Sequence, residues 1–367
     1  MELSLSPPFF TEKRFYLVTA LRFIRLLTEF GIGFSNNTPT SDLLRYGSLA
    51  EQNGLTFWLN EGYHNRSSVV IMSAIASNTT NLQIGLGIVS PILRHPFLIA
   101  MEAGALDELS AGRLSLGLGL AASGAKRHNI DVLRNHPIET MRESAQIIRQ
   151  MIGGETVTAT KIFDAPKEGV KLGFRPPREN IPLYLGAMHP RMLELGGELF
   201  DGVLLNYSCP LPYANFAIEH VRRGSKNRKL SSEVQIVAFL LISVADKHDD
   251  ALEASRKYLP HYLSRAYPIT LSYANVSDKE TEPVLSALKD SDHKRAISEV
   301  SDELIAKLTI SGTPEECTNE IKKYADAGVN QVIAEQIMGP VPEEAIEMLG
   351  SQVVPKLVVE SRRSVRA

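Results

Sequence analysis

The chain is poor in cysteine: Cys209 and Cys317 are the only two in 367 residues, and neither belongs to a C-x-x-C pair. That spacing excludes a disulfide framework and a cysteine-rich zinc site, and it points to a reducing, cytoplasmic setting. Long apolar runs are missing too. No stretch approaches the roughly 18 uncharged residues of a membrane helix, and the most apolar one, Val234 to Ala245, contains Gln235 and suits a buried strand. Nor is there an excess of one charge, since 39 Lys plus Arg face 42 Asp plus Glu for a formal net charge of −3. A nucleic-acid surface needs clustered basic residues, so neither nucleic acid nor a membrane is an expected partner. What is present is globular: 44% of residues are hydrophobic and 22% charged. The length allows two domains of about 150 residues or one α/β barrel of more than about 250.

Residues 1 to about 28 read as an appended segment. Phe15 to Leu27 is apolar after Lys13 and Arg14, as in a signal peptide, but Arg22 and Arg25 interrupt it and no small-residue cleavage site follows. An amphipathic helix or an overlong gene start fits better. Residues 29–367 then form one domain.

From Glu29 a rhythm of short apolar run, polar turn and helical stretch repeats. Strand starts at 29, 55, 82 and 113 are 26, 27 and 31 residues apart, close to the roughly 30 residues of a βα unit. Helices are predicted over Pro39–Gln52, ending at Asn53-Gly54, and over Ser67–Asn78, Phe97–Leu109 and Glu139–Ile152. Thr156–Phe163 and Val170–Phe174 look like an inserted hairpin. Further strands follow at Ile181–Gly186, Asp201–Asn206 and Val234–Ala245, and an eighth at Val329–Glu335. Between the last two lies a mostly helical insertion from about Asp246 to Thr309, then Ser311-Gly-Thr-Pro-Glu-Glu316, with Thr313 as N-cap, Pro314 at the first helical position and Glu316 three residues after the cap. Alternating strands and helices imply a parallel sheet. Eight strands suggest a single (β/α)8 TIM barrel with insertions after strands 4 and 7, although periodicity alone also permits a doubly wound open sheet.

In a parallel barrel the working residues follow the strands. After the first comes Ser35-Asn36-Asn37; after the second, Asn60-Glu61-Gly62-Tyr63-His64-Asn65-Arg66, which packs an acid, an imidazole and a guanidinium into seven positions. Either this is a site, or Glu61 and Arg66 pair to shape a loop. Arg94 and His95 after the third strand either meet an anion or cap the next helix. No second His or Cys stands at ligand spacing from His64, so no metal centre is expected. Gly117-Leu-Gly119-Leu-Ala-Ala122 matches a loose dinucleotide fingerprint, but three βα units already precede it. Its glycines fit close approach to a planar ligand or a neighbouring strand. Ala187-Met188-His189 precedes Pro190 at a helix start, where outward amides suit a phosphate, or form an ordinary βα turn.

Six segments carry a likeness: Phe30-Gly-Ile-Gly-Phe34; Phe57 to Arg66; Ile84-Gly-Leu-Gly-Ile-Val-Ser-Pro91 with Arg94-His-Pro96; Gly112-Arg-Leu-Ser-Leu-Gly-Leu-Gly119; Gly186 to Leu195 with Asp201-Gly-Val-Leu-Leu205; and Gly312-Thr-Pro-Glu-Glu316 with Ala327-Gly-Val329. From about residue 29 to 350 the chain resembles the bacterial-luciferase-like flavin and deazaflavin oxidoreductases, within them the methylenetetrahydromethanopterin reductase branch. The resemblance implies coenzyme F-420 in the barrel mouth and hydride transfer to or from a small organic or pterin-type substrate. It implies a non-prolyl cis bond at Gly87-Ile88 forming a bulge behind the ring, and phosphate at Ala187, Met188 and His189. Glu61 and His64 become candidate catalytic residues, Glu61, Gly62 and Gly119 cofactor contacts, and Asn36 and Arg94 substrate contacts. A homo-oligomer, dimer or tetramer, is implied as well. The branch places a Glu where this chain has Gly33, an Asp-His pair where it has Glu61-Gly62, and an Asp near Ala122. Those departures leave two alternatives open: an FMN-dependent monooxygenase, or a non-catalytic cofactor-binding paralogue.

Overall fold

A computed structural model describes residues 27–122, 129, 131, 136–206 and 208–357. The segment before Leu27 and the positions Ser123 and Gly124 after the fourth strand lie outside the described residues. In chain order the barrel begins β1 (Glu29–Ser35), α1 (Thr40–Gln52), β2 (Thr56–Asn60), α2 (Ser68–Ser77), β3 (Ile84–Val89), α3 (Pro96–Leu109) and β4 (Leu114–Leu118). It continues with α4 (Pro137–Ile152), β5 (Leu183–Gly186), α5 (Pro190–Leu199), β6 (Gly202–Leu205), α6 (Leu211–Ser225) and β7 (Gln235–Leu240). After an insertion, α12 (Pro314–Ala327), β10 (Gln331–Glu335) and α13 (Pro342–Met348) complete it. Pairing is parallel throughout, and β10 lies between β7 and β1, so the sheet closes on itself. The open-sheet alternative is thereby excluded.

The run from Val234 to Ala245 divides. Gln235–Leu240 stays in the barrel, whereas β8 (Ile242–Val244) leaves it and pairs with β9 (Ile310–Gly312) in a separate two-stranded sheet. Ile242 and Val244 stay in the main core, while the chain leads into the insertion, α7 to α11 (His248–Leu263, Pro268–Tyr273, Asp278–Lys289, His293–Ser298 and Asp302–Leu308). That insertion has a core of its own, in which Leu259, Tyr262, Val284, Leu304 and Ile305 pack with Leu241 and Ile337 from the barrel side. The expected hairpin after α4 is reduced to one antiparallel bridge, Val157 to Val170, in irregular chain. The capping box at Thr313 and Glu316 forms as the sequence indicates. Cys209 and Cys317 are buried and unpaired by any disulfide. Among the described residues no helix is long and apolar enough to cross a membrane, and no group of three His, Cys, Asp or Glu could hold a metal ion.

Side chains alternate along a strand, so every second residue faces the barrel axis. Trp58, Leu204, Val237, Phe239 and Ile333 form that inner cluster, with Tyr184 and Ile88 against it. The indole makes edge-to-face contacts with Tyr184 and Phe239, both at 5.8 Å between centroids. Its bulk leaves no room opposite: a Cβ on Gly85 would stand 2.3 Å from Trp58 Cδ2. Gly85→Ala is therefore expected to cost about 2 kcal/mol or more by overpacking. Gly173→Ala, where a Cβ meets nothing within 4 Å, should leave the urea midpoint within experimental scatter or raise it slightly. Equal midpoints for the two variants would contradict the packing argument.

Candidate functional site

The C-terminal rim of the barrel is assembled from the loops after β1, β2 and β3. Asn36 is fully buried, and its amide donates to the carbonyls of Gly62 (3.1 Å) and Arg66 while its Oδ1 accepts from the Gly62 N–H at 3.0 Å. One side chain thus fixes the whole loop from Glu61 to Arg66. Gly62 lies so close that a Cβ there would meet Asn36 Oδ1 at 2.8 Å. Arg66 donates to Asn37 O at 3.0 Å and is not the partner of Glu61. Glu61 instead takes Arg94 Nη2 at 2.9 Å on one oxygen and the Ser68 N–H at 3.3 Å on the other, which anchors it to the start of α2. The second arm of Arg94 approaches Glu102 Oε2 at 3.0 Å without hydrogen-bond alignment. Tyr63 OH receives the Ser90 N–H at 3.0 Å. His64 is exposed, with a left-handed backbone at φ 73°. His95 caps α3 through Nδ1 and the Phe97 N–H, the plainer of its two readings.

The second group lies around β3. Gly87–Ile88 is a cis peptide, at the position the resemblance indicates, and the register of β3 against β4 shifts between Leu86 and Val89. Ile88 then occupies space that side chains on its neighbours would need. A Cβ on Gly119 or Gly186 would stand 2.9 Å from Ile88 atoms, and one on Gly117 3.3 Å away. The Gly117-x-Gly119 pattern thus accommodates a neighbouring strand and makes no dinucleotide turn. Across the mouth, Ala187 is buried, Met188 O accepts from Tyr213 OH at 3.0 Å, and exposed His189 precedes Pro190 at the start of α5.

One functional group escapes the sequence argument. Glu335 ends β10, and the alternation that turns Ile333 into the inner cluster turns Glu335 the same way, one layer nearer the mouth. It pairs in register with Gly33, and a Cβ there would stand 3.5 Å from Glu335 Cγ. The carboxylate missing from the first strand is therefore matched by one on the strand beside it. Glu335 is 5% exposed, and its Oε1 accepts from Gln336 Nε2 (3.1 Å) and Asn60 Nδ2 (3.3 Å). Burial pushes the carboxyl up to about 7, and the two amide hydrogen bonds oppose that rise only in part. An acid as the last inward residue of a barrel strand is the signal that would have revealed it.

Residues 23–331 match the family model described as luciferase-like monooxygenase. The 5,10-methylenetetrahydromethanopterin reductase of Archaeoglobus fulgidus is 33% identical over 336 residues, 90% of this chain and 99% of that protein. The reductase of the same name from Methanolobus tindarius is 30% identical over 329 residues, 89% of this chain and 99% of its own length. Among solved structures, the coenzyme F-420 dependent tetrahydromethanopterin reductase from Methanopyrus kandleri superposes with a TM-score of 0.83 at 26% identity, covering 90% of this chain and 99% of that one.

The Glu335 environment has a thermodynamic consequence. Between the ordinary carboxyl value of 4.5 and about 7, the folded chain keeps a proton that the unfolded chain releases, so this group's contribution to stability falls as pH rises through that window and levels off above it. Glu335→Gln removes the dependence. The variant should match its parent near pH 4.5 and exceed it by roughly 3 kcal/mol at pH 8, read from urea midpoints at the two pH values. A difference that does not change with pH would show an ordinary carboxylate.

Proposed function

The chain belongs to the luciferase-like monooxygenase family, and within it we propose an F-420-dependent oxidoreductase acting on a small organic or pterin-type substrate, in the manner of methylenetetrahydromethanopterin reductase. The observation that carries the reading is the likeness to the Archaeoglobus reductase, one residue in three over 99% of that protein's length. A planar tricycle at the mouth is supported by the bare inward backbone at Gly33 and Gly87 and by the apolar floor that Ile88 and Phe239 offer. When bound there, the deazaflavin would supply or accept a hydride at its C5.

The protein's part is to bind, orient and keep charge in place. Gly87 and Ile88 would back the ring, with Gly119 beside them. The N–H groups of Met188 and His189, before the head of α5, would take a phosphate of the cofactor's side arm, whereas that of Ala187 is already bonded to Leu204 O at 3.3 Å. Glu61 with Arg94, held by Asn36 through Gly62, would set a fixed dipole at the rim for cofactor or substrate, and exposed His64 would meet an incoming substrate. Both oxygens of Glu61 are engaged, so it serves orientation better than proton transfer.

A homo-oligomer acting in the cytoplasm accompanies this reading. Helices α2 and α3 leave Val70, Leu98, Met101 and Leu109 between 46% and 69% exposed on one side of the barrel, an apolar face that a second copy would cover.

Trp58 is the chain's only tryptophan and packs directly against Gly87, a Cβ there standing 3.2 Å from its ring. Titration with oxidised F-420 is expected to quench Trp58 emission saturably, while FMN at matched concentration quenches far less. Tighter binding of FMN would move the protein to the monooxygenase side, and binding without turnover of any carbonyl or imine would favour a non-catalytic role.

A further inference from the structure

We propose that Glu335 is the acid of the reaction, the residue that gives its proton to the substrate heteroatom as the adjacent carbon is reduced, and that the substrate class is therefore a carbonyl or neutral imine. The inference rests on the hydride-transfer reading above and deepens it. It stands on three features of the mouth. Glu335 faces the barrel axis at the end of β10, directly beside Gly33, so the wall next to its carboxyl is bare backbone. Both donors that reach it, Asn60 Nδ2 and Gln336 Nε2, end on Oε1. Among the described residues Oε2 takes no hydrogen bond, which leaves it to carry the proton and present it. Gln336 is itself held, its N–H bonded to Gly33 O at 3.2 Å across the β10–β1 seam.

No charged partner competes for the proton. Facing Glu335 are Gly33 from β1, Asn60 from β2, Phe239 from β7 and Gln336 from its own chain, none of them titratable, and among the described residues no Lys, Arg or His forms an ion pair with it. The other acid of the rim, Glu61, is bound to Arg94. Burial with neutral donors alone keeps a carboxyl protonated near neutral pH.

The step balances as follows. The π bond of C=O or C=N breaks, a C–H bond forms from the hydride that the reduced deazaflavin gives up as it is oxidised by two electrons, and an O–H or N–H bond forms with the proton from Oε2. Glu335 is left as a carboxylate and regains a proton from solvent before the next turnover. In the oxidising direction the same carboxylate accepts the proton.

The test compares the parent with Glu335→Gln, which keeps size and an oxygen for Asn60 and Gln336 but holds no transferable proton. A protonated-carboxyl infrared band should be present in the parent protein alone at pH 6, fade by pH 8.5 and be missing from the variant. With F-420 loaded, kcat for carbonyl or imine reduction should fall by about 100-fold or more while F-420 affinity stays within about twofold, and the alkaline limb of the parent's pH profile should disappear. Glu335→Asp, which keeps the acid on a shorter arm, should recover part of the rate. A Gln variant with parental kcat and an unchanged alkaline limb, or an absent infrared band, overturns the acid role. A parent that shows the band yet fails to bind F-420 overturns the cofactor reading and, with it, the substrate assignment. The infrared result needs no cofactor, so the two failures are distinguishable.

Discussion

The indole of Trp58 has to fit inside an eight-stranded barrel, and most of the interior is arranged around that requirement. A barrel of this size has just enough internal volume for layered side chains, so a large residue on one strand demands small ones on its neighbours. Gly85 is the direct answer, since any Cβ there would enter the ring. Tyr184 and Phe239 meet the indole edge-on from across the axis, and Ile333 and Val237 fill the remaining space. Above this plug the inward positions are again mostly glycine, and Ile88 fills the space beside Gly117, Gly119 and Gly186.

The rim then holds two carboxyl groups in contrasting company. Glu61 lies against a guanidinium and a helix-start amide, an arrangement that fixes a charge and its direction. Glu335 has only amide donors on one oxygen and apolar surface or bare backbone around it. Differently solvated acids at one rim would separate the tasks of orienting charge and moving a proton on the proposed reading, and each environment follows from the strand on which the residue sits. Asn36 contributes to the first by holding Gly62, and Gln336 to the second by bridging β10 to β1.

The barrel was legible in the sequence because βα spacing and strand-end turns are local properties, and each is visible within about 30 residues. Helix starts at Ser67, His95 and Thr313 carry side-chain caps at or within one residue of where the sequence places them. Other features depend on who meets whom. The stretch from Val234 to Ala245 reads as one strand because both of its halves are buried in the main core, yet they pair in different sheets, and Leu241 between them turns to the core of the insertion. Glu61 stands five positions before Arg66 and 33 before Arg94, and sequence distance favours the wrong partner. Gly33 reads as a lost acid when β1 is considered alone. The register of a neighbouring strand, 302 residues away, reverses that reading, and no pattern within either strand announces it.

The insertion is tied to the barrel by a ladder of three residue pairs, Ile242–Val244 against Ile310–Gly312, by the Val244–Met338 backbone bond, by Tyr273 packed on Tyr213 and Phe216 of α6, by the Ser208 hydroxyl donating to Leu308 O, and by the apolar residues shared between its core and the strand ends. Its own helices bury one another. Most of its burial is internal, so changes within it reach the barrel only through those few ties. The side-chain volumes inside the barrel, set by Trp58 and its neighbours, share no residue with the core of the insertion, so a change of size in one need not be answered in the other.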